Sequence, residues 1–199
     1  MNWLRPPGPV AKGLRIGLLG GSFNPAHEGH RYVAETALKR LGLAHVWWLV
    51  SPQNPLKPDP APLATRLAAA RALVGRRPRM IVTDVESTLG TRYTIDTLKA
   101  LHRRFPEVHF VWLMGSDNLE QFHRWRRWAD VATLIPIAVV ERPGSVLAPL
   151  RARAMLRLAH YRRKTLCRLP AIVVLDGRRN EASATVIRAL GAREAGVLE

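Results

Sequence analysis

Arg15-Ile16-Gly17-Leu18-Leu19-Gly20-Gly21-Ser22-Phe23-Asn24-Pro25-Ala26-His27-Glu28-Gly29-His30 opens on a short apolar run, breaks at two adjacent glycines and leads into an amphipathic stretch. Tyr32, Ala34, Ala37, Leu38 and Leu41 then recur with helical spacing, so the segment reads as strand, glycine turn and helix. Further β-rich apolar runs occur at Val46–Val50, Met80–Val85, His109–Met114, Ile135–Val140 and Ala171–Leu175, with helix-like stretches between them. Ile95, Leu98, Leu101, His102 and Phe105 mark a second apolar helix face. Strands alternating with helices predict an α/β fold, a doubly wound, mostly parallel sheet with helices on both faces. In such sheets ligands bind beyond the carboxyl ends of the strands. The informative residues follow strands accordingly: Gly20–His30, Ser51–Pro58, Gly115–Asp117 and Ser183–Arg188.

The chain has 199 residues, 47% of them hydrophobic, enough for one sizeable core. One domain is expected over residues 14–199, preceded by a loose tail at 1–13. No apolar run reaches the roughly 18 residues of a membrane span, and the first twelve residues carry no secretory h-region. A soluble, cytoplasmic protein is expected. Its single cysteine, Cys167, can form neither an internal disulfide nor a thiolate cage. The formal net charge of +16 points to anionic partners, polyphosphates or nucleic acid, without choosing between them. Basic residues concentrate at His123–Arg127 and Arg151–Arg168, the second cluster reading as a solvated helical face. Pro52–Pro62 holds five prolines in eleven positions, which predicts an extended loop able to cover a ligand.

The chemistry concentrates at Gly20–His30. Adjacent glycines let backbone N–H groups approach a phosphate, and a helix N-terminus adds partial positive charge. His27 and His30 stand three apart, so on a helix they share a face, spaced to donate to the oxygens of one phosphate. A glycine turn and a capping histidine would also serve structure alone, and two helical histidines could hold a metal. The pattern is not H-E-x-x-H, however, and no third ligand is evident. Neither a Walker A sequence nor G-x-G-x-x-G occurs, so P-loop hydrolysis and dehydrogenase-type dinucleotide binding lose their usual support.

Gly20–His30 resembles the G-G-[ST]-F-x-P-x-H-x-G-H signature of the nucleotidyltransferase superfamily with paired histidines, and the chain most resembles the bacterial nicotinate mononucleotide adenylyltransferases. The resemblance runs from about Arg15 to Leu190. It implies a Rossmann-like fold and adenylyl transfer from ATP, with magnesium, to a pyridine mononucleotide, yielding nicotinate adenine dinucleotide and pyrophosphate on the route to NAD. Three further segments carry it. Met114-Gly115-Ser116-Asp117, followed by Phe122, Trp125 and Trp128, is similar to M-G-x-D…F…W…W. Gly115 would let a ligand approach the strand end. Asp117 can accept from ribose hydroxyls or cap the next helix, and the resemblance favours ribose. Two tryptophans at i, i+3 usually mean core; the arginines around Trp125 suggest a half-exposed face, and the family sets an aromatic there against the pyridine ring, leaving Trp128 in the core.

Tyr93-Thr94 in Thr91–Leu98 is similar to Y-T-x-x-T-L and begins a helix whose N–H groups could bind a carboxylate. Ser183-Ala184-Thr185-Val186-Ile187-Arg188 resembles S-S-T-x-[IL]-R, departing at Ala184. Hydroxyls, N–H groups and guanidinium there form an anion site for the β- and γ-phosphates. Asn54 and Lys57 in the Pro-rich loop could reach the mononucleotide phosphate, and Arg142 matches the family's R-P-G.

The catalytic expectation is therefore His27, His30 and Arg188. Gly20, Gly21, Ser22, Phe23, Gly115, Asp117, Ser183 and Thr185 join them around ATP, while Asn54, Lys57, Tyr93, Thr94, Trp125 and Arg142 hold nicotinate mononucleotide. No protein metal cage is expected, magnesium being held mainly by ATP. The acceptor could instead be nicotinamide mononucleotide, phosphopantetheine or flavin mononucleotide, since the first signature is shared. A basic nucleic-acid-binding module would account for His123–Arg127 but leaves the histidine pair unexplained.

Overall fold

A computed structural model describes residues 5–52, 61–141, 153–166 and 169–175. Six strands form one parallel sheet: β1 (Arg15–Gly21), β2 (His45–Val50), β3 (Met80–Thr83), β4 (His109–Gly115), β5 (Ile137–Val140) and β6 (Ile172–Leu175), in the order β3-β2-β1-β4-β5-β6. All six expected strands are present. The chain reverses its direction of travel across the sheet between β1 and β4, a topological switch point where two adjacent strand ends face diverging connections.

The strands are nearly continuous apolar runs because both faces are covered; β2, His-Val-Trp-Trp-Leu-Val, is buried from Val46 to Val50. Alternation sends Trp47 into one core and Trp48 into the other. The first core lies under α3 (Val85–Leu89), α4 (Thr94–Arg104), α5 (Ser116–Phe122), α6 (Trp128–Leu134) and α7 (Arg153–Arg157). The second lies under α1 (Glu28–Arg40) and α2 (Leu63–Val74). Helices thus cover both faces. Helix α4 buries Ile95, Leu98 and Leu101 on the face expected, with His102 and Phe105 half-buried. In α1 the inward face is turned slightly from the expected one: Val33, Ala34 and Ala37 are buried, while Tyr32, Leu38 and Leu41 pack at its margin.

Local chemistry shifts other boundaries. Strand β3 stops at Thr83, whose Oγ1 accepts the Val85 N–H at 3.1 Å, and five residues of helix follow where the apolar run suggested more strand. Gly90, at φ +63, ends that helix in the left-handed conformation that favours glycine. Trp125 and Trp128 do not share a helix: α5 ends at Phe122, and Arg127, left-handed at φ +52, starts α6 anew. Within the described part of Arg151–Lys164, helix is confined to Arg153–Arg157 and a 3-10 turn at Ala159–Tyr161, so one continuous helical face is not what carries the basic residues. Before β1, Gly13 N–H donates to the Glu107 carbonyl at 2.9 Å, Lys12 pairs with Glu107 at 3.1 Å, and Val10 packs on the first core.

Candidate active site

A cleft of about 480 Å3 opens beyond the carboxyl ends of β1 and β4. One wall is the segment from Gly20 to His30. Gly20 and Gly21 close β1, paired with Leu49 and Val50, and six residues then separate the strand from α1. The two glycines differ. A Cβ on Gly20 would lie 2.3 Å from the Trp112 indole, whereas one on Gly21 would lie 3.5 Å from the Phe23 ring, an ordinary contact. Gly20 therefore makes room for a tryptophan that itself lines the cleft. Phe23 is 1% exposed and stacks on Trp48, with centroids 5.2 Å apart and planes 22° apart. Only its backbone can face a ligand.

His27 is the N-cap of α1, and its N–H donates to His30 Nδ1 at 3.2 Å. A nitrogen that accepts carries no proton, so the His30 ring keeps its hydrogen on Nε2. The two rings lie 3.9 Å apart, His30 packs 4.8 Å from Phe23, and both histidines line the cleft. The thirteen-residue α1 aims its N-terminus at the same place.

The opposite wall follows β4. Asp117 is in the first turn of α5 rather than at its cap, which is Gly115, and it lines the cleft. Gly115 is buried in register with Val140 and does not line it. Trp125, half-buried, meets Trp112 edge to face at 5.8 Å and Phe122 at 5.3 Å, which fixes its ring beside the opening. Trp128 packs on Phe122 at 5.8 Å with the Arg157 guanidinium over its ring, half-buried rather than enclosed.

The third wall is the start of α4. Tyr93 is its N-cap with no side-chain capping bond, and Tyr93 and Thr94 both line the cleft. Arg126 lies 4.6 Å and Arg92 5.8 Å from the Tyr93 ring centre. These arginines, with Arg124, line the cleft as well, giving its mouth a positive rim suited to anions. Beneath them sits Glu86, 6% exposed. Burial pushes its carboxyl above the usual carboxylate range, against the opposing effect of hydrogen bonds from Ser51 and Thr97, the latter at 3.1 Å.

Ser51 lines the cleft from the start of the strand-end segment expected there, whereas Glu86, Arg92, Trp112, Asn118 and Gln121 line it without having been singled out by the sequence. Arg92 stood inside a quoted motif, but a single Glu in an unremarked stretch and a tryptophan within a strand carried no signal. Asn54, Lys57, Arg142, Ser183, Thr185 and Arg188 lie outside the described residues, as does Cys167. Among the described residues no group of three or more His, Cys, Asp or Glu side chains could hold a metal. A second cavity, about 650 Å3 and lined by Thr83, Asp84 and Arg103 among others, contains none of the motif residues.

Residues 18–190 match the cytidylyltransferase-like family. The chain is 50% identical over 191 residues to a probable nicotinate-nucleotide adenylyltransferase of Parvibaculum lavamentivorans, covering 92% of this chain and 94% of that protein. It is 51% identical over 184 residues to a protein of the same name from Cereibacter sphaeroides, with 88% and 97% covered. Its fold is similar to that of Plasmodium falciparum nicotinic acid mononucleotide adenylyltransferase complexed with NaAD, with a TM-score of 0.66 at 17% identity over 83% of this chain and 76% of that one. The chain therefore belongs to the cytidylyltransferase-like family and, within it, to the nicotinate-nucleotide adenylyltransferases.

Proposed function

We infer that the cleft joins the AMP half of ATP to nicotinate mononucleotide, producing nicotinate adenine dinucleotide and pyrophosphate for NAD synthesis. One observation carries this reading. The diglycine turn with His27 and His30, the Asp117–Trp125 wall and the Tyr93–Thr94 helix start converge on a single opening.

The attacking phosphate is already an anion, so displacement at the α-phosphorus requires no general base. Catalysis reduces to positioning and to stabilising charge on the transferring phosphate. His30 Nε2–H and His27 serve as donors to that phosphate, reinforced by the α1 N-terminus. Asp117 accepts from a ribose hydroxyl. Trp125 offers its face to the cationic pyridine ring, and the uncapped first turn at Tyr93–Thr94 receives the nicotinate carboxylate. Gly20, Gly21, Ser22 and Phe23 shape the turn around the triphosphate. Ser183, Thr185 and Arg188 on the β- and γ-phosphates, Asn54 and Lys57 on the mononucleotide phosphate, and Arg142 at the acceptor complete the proposal on sequence grounds.

Magnesium enters with ATP. As a small hard cation it would be held mainly by ATP in preference to a dedicated protein cage, and would supply neutralisation of charge on the phosphates. No helix among the described residues is long and apolar enough to cross a membrane, and we place the enzyme in the cytoplasm.

The test is pyrophosphate release with ATP, magnesium and a panel of acceptor nucleotides. Release should require all three components, with a pyridine mononucleotide as the acceptor. Release from ATP alone at a comparable rate would identify a hydrolase instead.

A further inference from the structure

Arg66 points out of α2 into the protein and is 2% exposed. Its guanidinium donates to four main-chain carbonyls: Nε to Ala61 at 2.7 Å, one terminal nitrogen to Ser22 and to Ser51 at 2.7 Å each, and the other to Pro52 at 3.1 Å. No carboxylate pairs with it among the described residues. Burying a charge is unfavourable, and among the described residues the compensation comes from backbone dipoles. Those dipoles belong to three places: the phosphate-binding turn after β1, the end of β2, and the entry to α2.

The bond to Ser22 bears on the chemistry. The Ser22–Phe23 peptide is trans, so its C=O and N–H point in opposite directions. With the carbonyl held by Arg66, the Phe23 N–H is turned away from the guanidinium, on a turn whose Ser22 and Phe23 line the cleft. Phe23 sits at φ +48, a left-handed conformation unfavourable for a residue with a side chain. Something must hold it there. The ring is held by Trp48, and the peptide before it by Arg66.

We propose that Arg66 is a positioning residue for adenylyl transfer. By anchoring the Ser22 carbonyl it aims the Phe23 N–H at a bound phosphate, and by anchoring Ser51 and Pro52 it fixes the spacing between that turn and the end of β2. The proposal rests on the adenylyltransferase reading of the cleft. Arg66 never touches substrate. It acts through the peptide it orients.

The test uses the full chain, Arg66→Lys and Arg66→Met. Lysine keeps the charge but replaces the planar five-donor fork with a point donor that cannot span four carbonyls. Each protein is melted, then assayed for pyrophosphate release while ATP and nicotinate mononucleotide are varied. The chain has four phenylalanines, so 15N-phenylalanine labelling gives a spectrum simple enough to follow the Phe23 amide as ATP alone is added. Expected are a cooperatively folded Arg66→Lys variant, a fall in kcat of tenfold or more per folded molecule, a larger fall for Arg66→Met, and a Phe23 amide that shifts with ATP in the wild type and much less in the lysine variant. A kcat and both KM values within twofold of wild type, or an unchanged Phe23 response, would overturn the proposal. Should Arg66→Met fail to fold, the lysine variant decides alone. Wild-type protein that released no pyrophosphate with any pyridine mononucleotide would refute the activity, while the Phe23 amide would still decide the role of Arg66.

Discussion

The two strands that flank the switch point leave the sheet in opposite styles. Strand β1 takes six residues to reach its helix, whereas β4 passes into α5 with none between Gly115 and Ser116. The long exit bends through left-handed Phe23 and presents backbone donors, two histidines and a helix N-terminus. The short exit has no slack to expose its backbone, and it offers side chains, Asp117 and then Trp125. In the function proposed above, the same strand-to-helix connection serves two kinds of recognition. The first suits a phosphate, which any cluster of donors can satisfy. The second suits a ribose and a flat ring, which need particular side-chain shapes.

This division predicts how the two sides fail. The largest effect belongs to the long exit: His30→Ala should lower kcat by about 10²–10³ with little change in either KM, as removal of one donor to a charged transition state commonly does. Steady-state kinetics decide it, and an unaltered kcat would reduce His30 to a packing partner of Phe23. The next concerns acceptor choice. Nicotinate mononucleotide should surpass its amide counterpart by about 2–4 kcal/mol in kcat/KM, because the amide NH2 would meet N–H donors it cannot satisfy. Trp125→Ala should weaken both acceptors alike and leave that ratio standing. Equal kcat/KM values for the two acceptors in the wild type would break the assignment of α4's first turn to the carboxylate.

A third experiment separates the paired glycines. Gly20→Ala should destabilise the fold by about 1–3 kcal/mol through its clash with Trp112, while Gly21→Ala should be nearly neutral in a thermal melt. Similar losses at both would mean that the turn, and not the tryptophan, demands glycine. The smallest effect serves as a control away from both exits. His102 lies near the far end of α4, its Nε2 buried with no hydrogen-bond partner among the described residues. Desolvation lowers its pKa from 6.5, so below that pH the unfolded chain holds a proton that the folded protein resists, and stability is lost on acidification. His102→Phe should therefore narrow the stability gap between pH 7.5 and pH 5.5, with kcat unchanged. An identical pH dependence in both proteins would place the acid sensitivity elsewhere.

Much of this was legible in the sequence because its physics is local. Runs such as Val46–Val50 and His109–Met114 are apolar enough to announce strands covered on both sides, and the glycine turn with its histidines names the strand end where a ligand gathers. What stayed hidden depends on tertiary contact. Nothing around Trp125 and Trp128 signals that Arg127 turns left-handed and breaks the helical spacing between them. Five residues of α3 are too few to establish a period. Glu86 looks like any solvated glutamate until α4 and the end of β2 close over it. Arg66, in Leu-Ala-Thr-Arg-Leu-Ala-Ala-Ala, has the appearance of one exposed position on an apolar helix; its partners are carbonyls up to 44 residues away.

Those carbonyls also bear on inheritance. Every residue type carries one, so changing the side chain at position 22, 51, 52 or 61 leaves an acceptor for the guanidinium in place. A carboxylate partner could be lost through a mutation at either end, but here the mutational target shrinks to one codon. As far as this anchor is concerned those four side chains are open to drift, while a change at position 66 removes all four bonds at once.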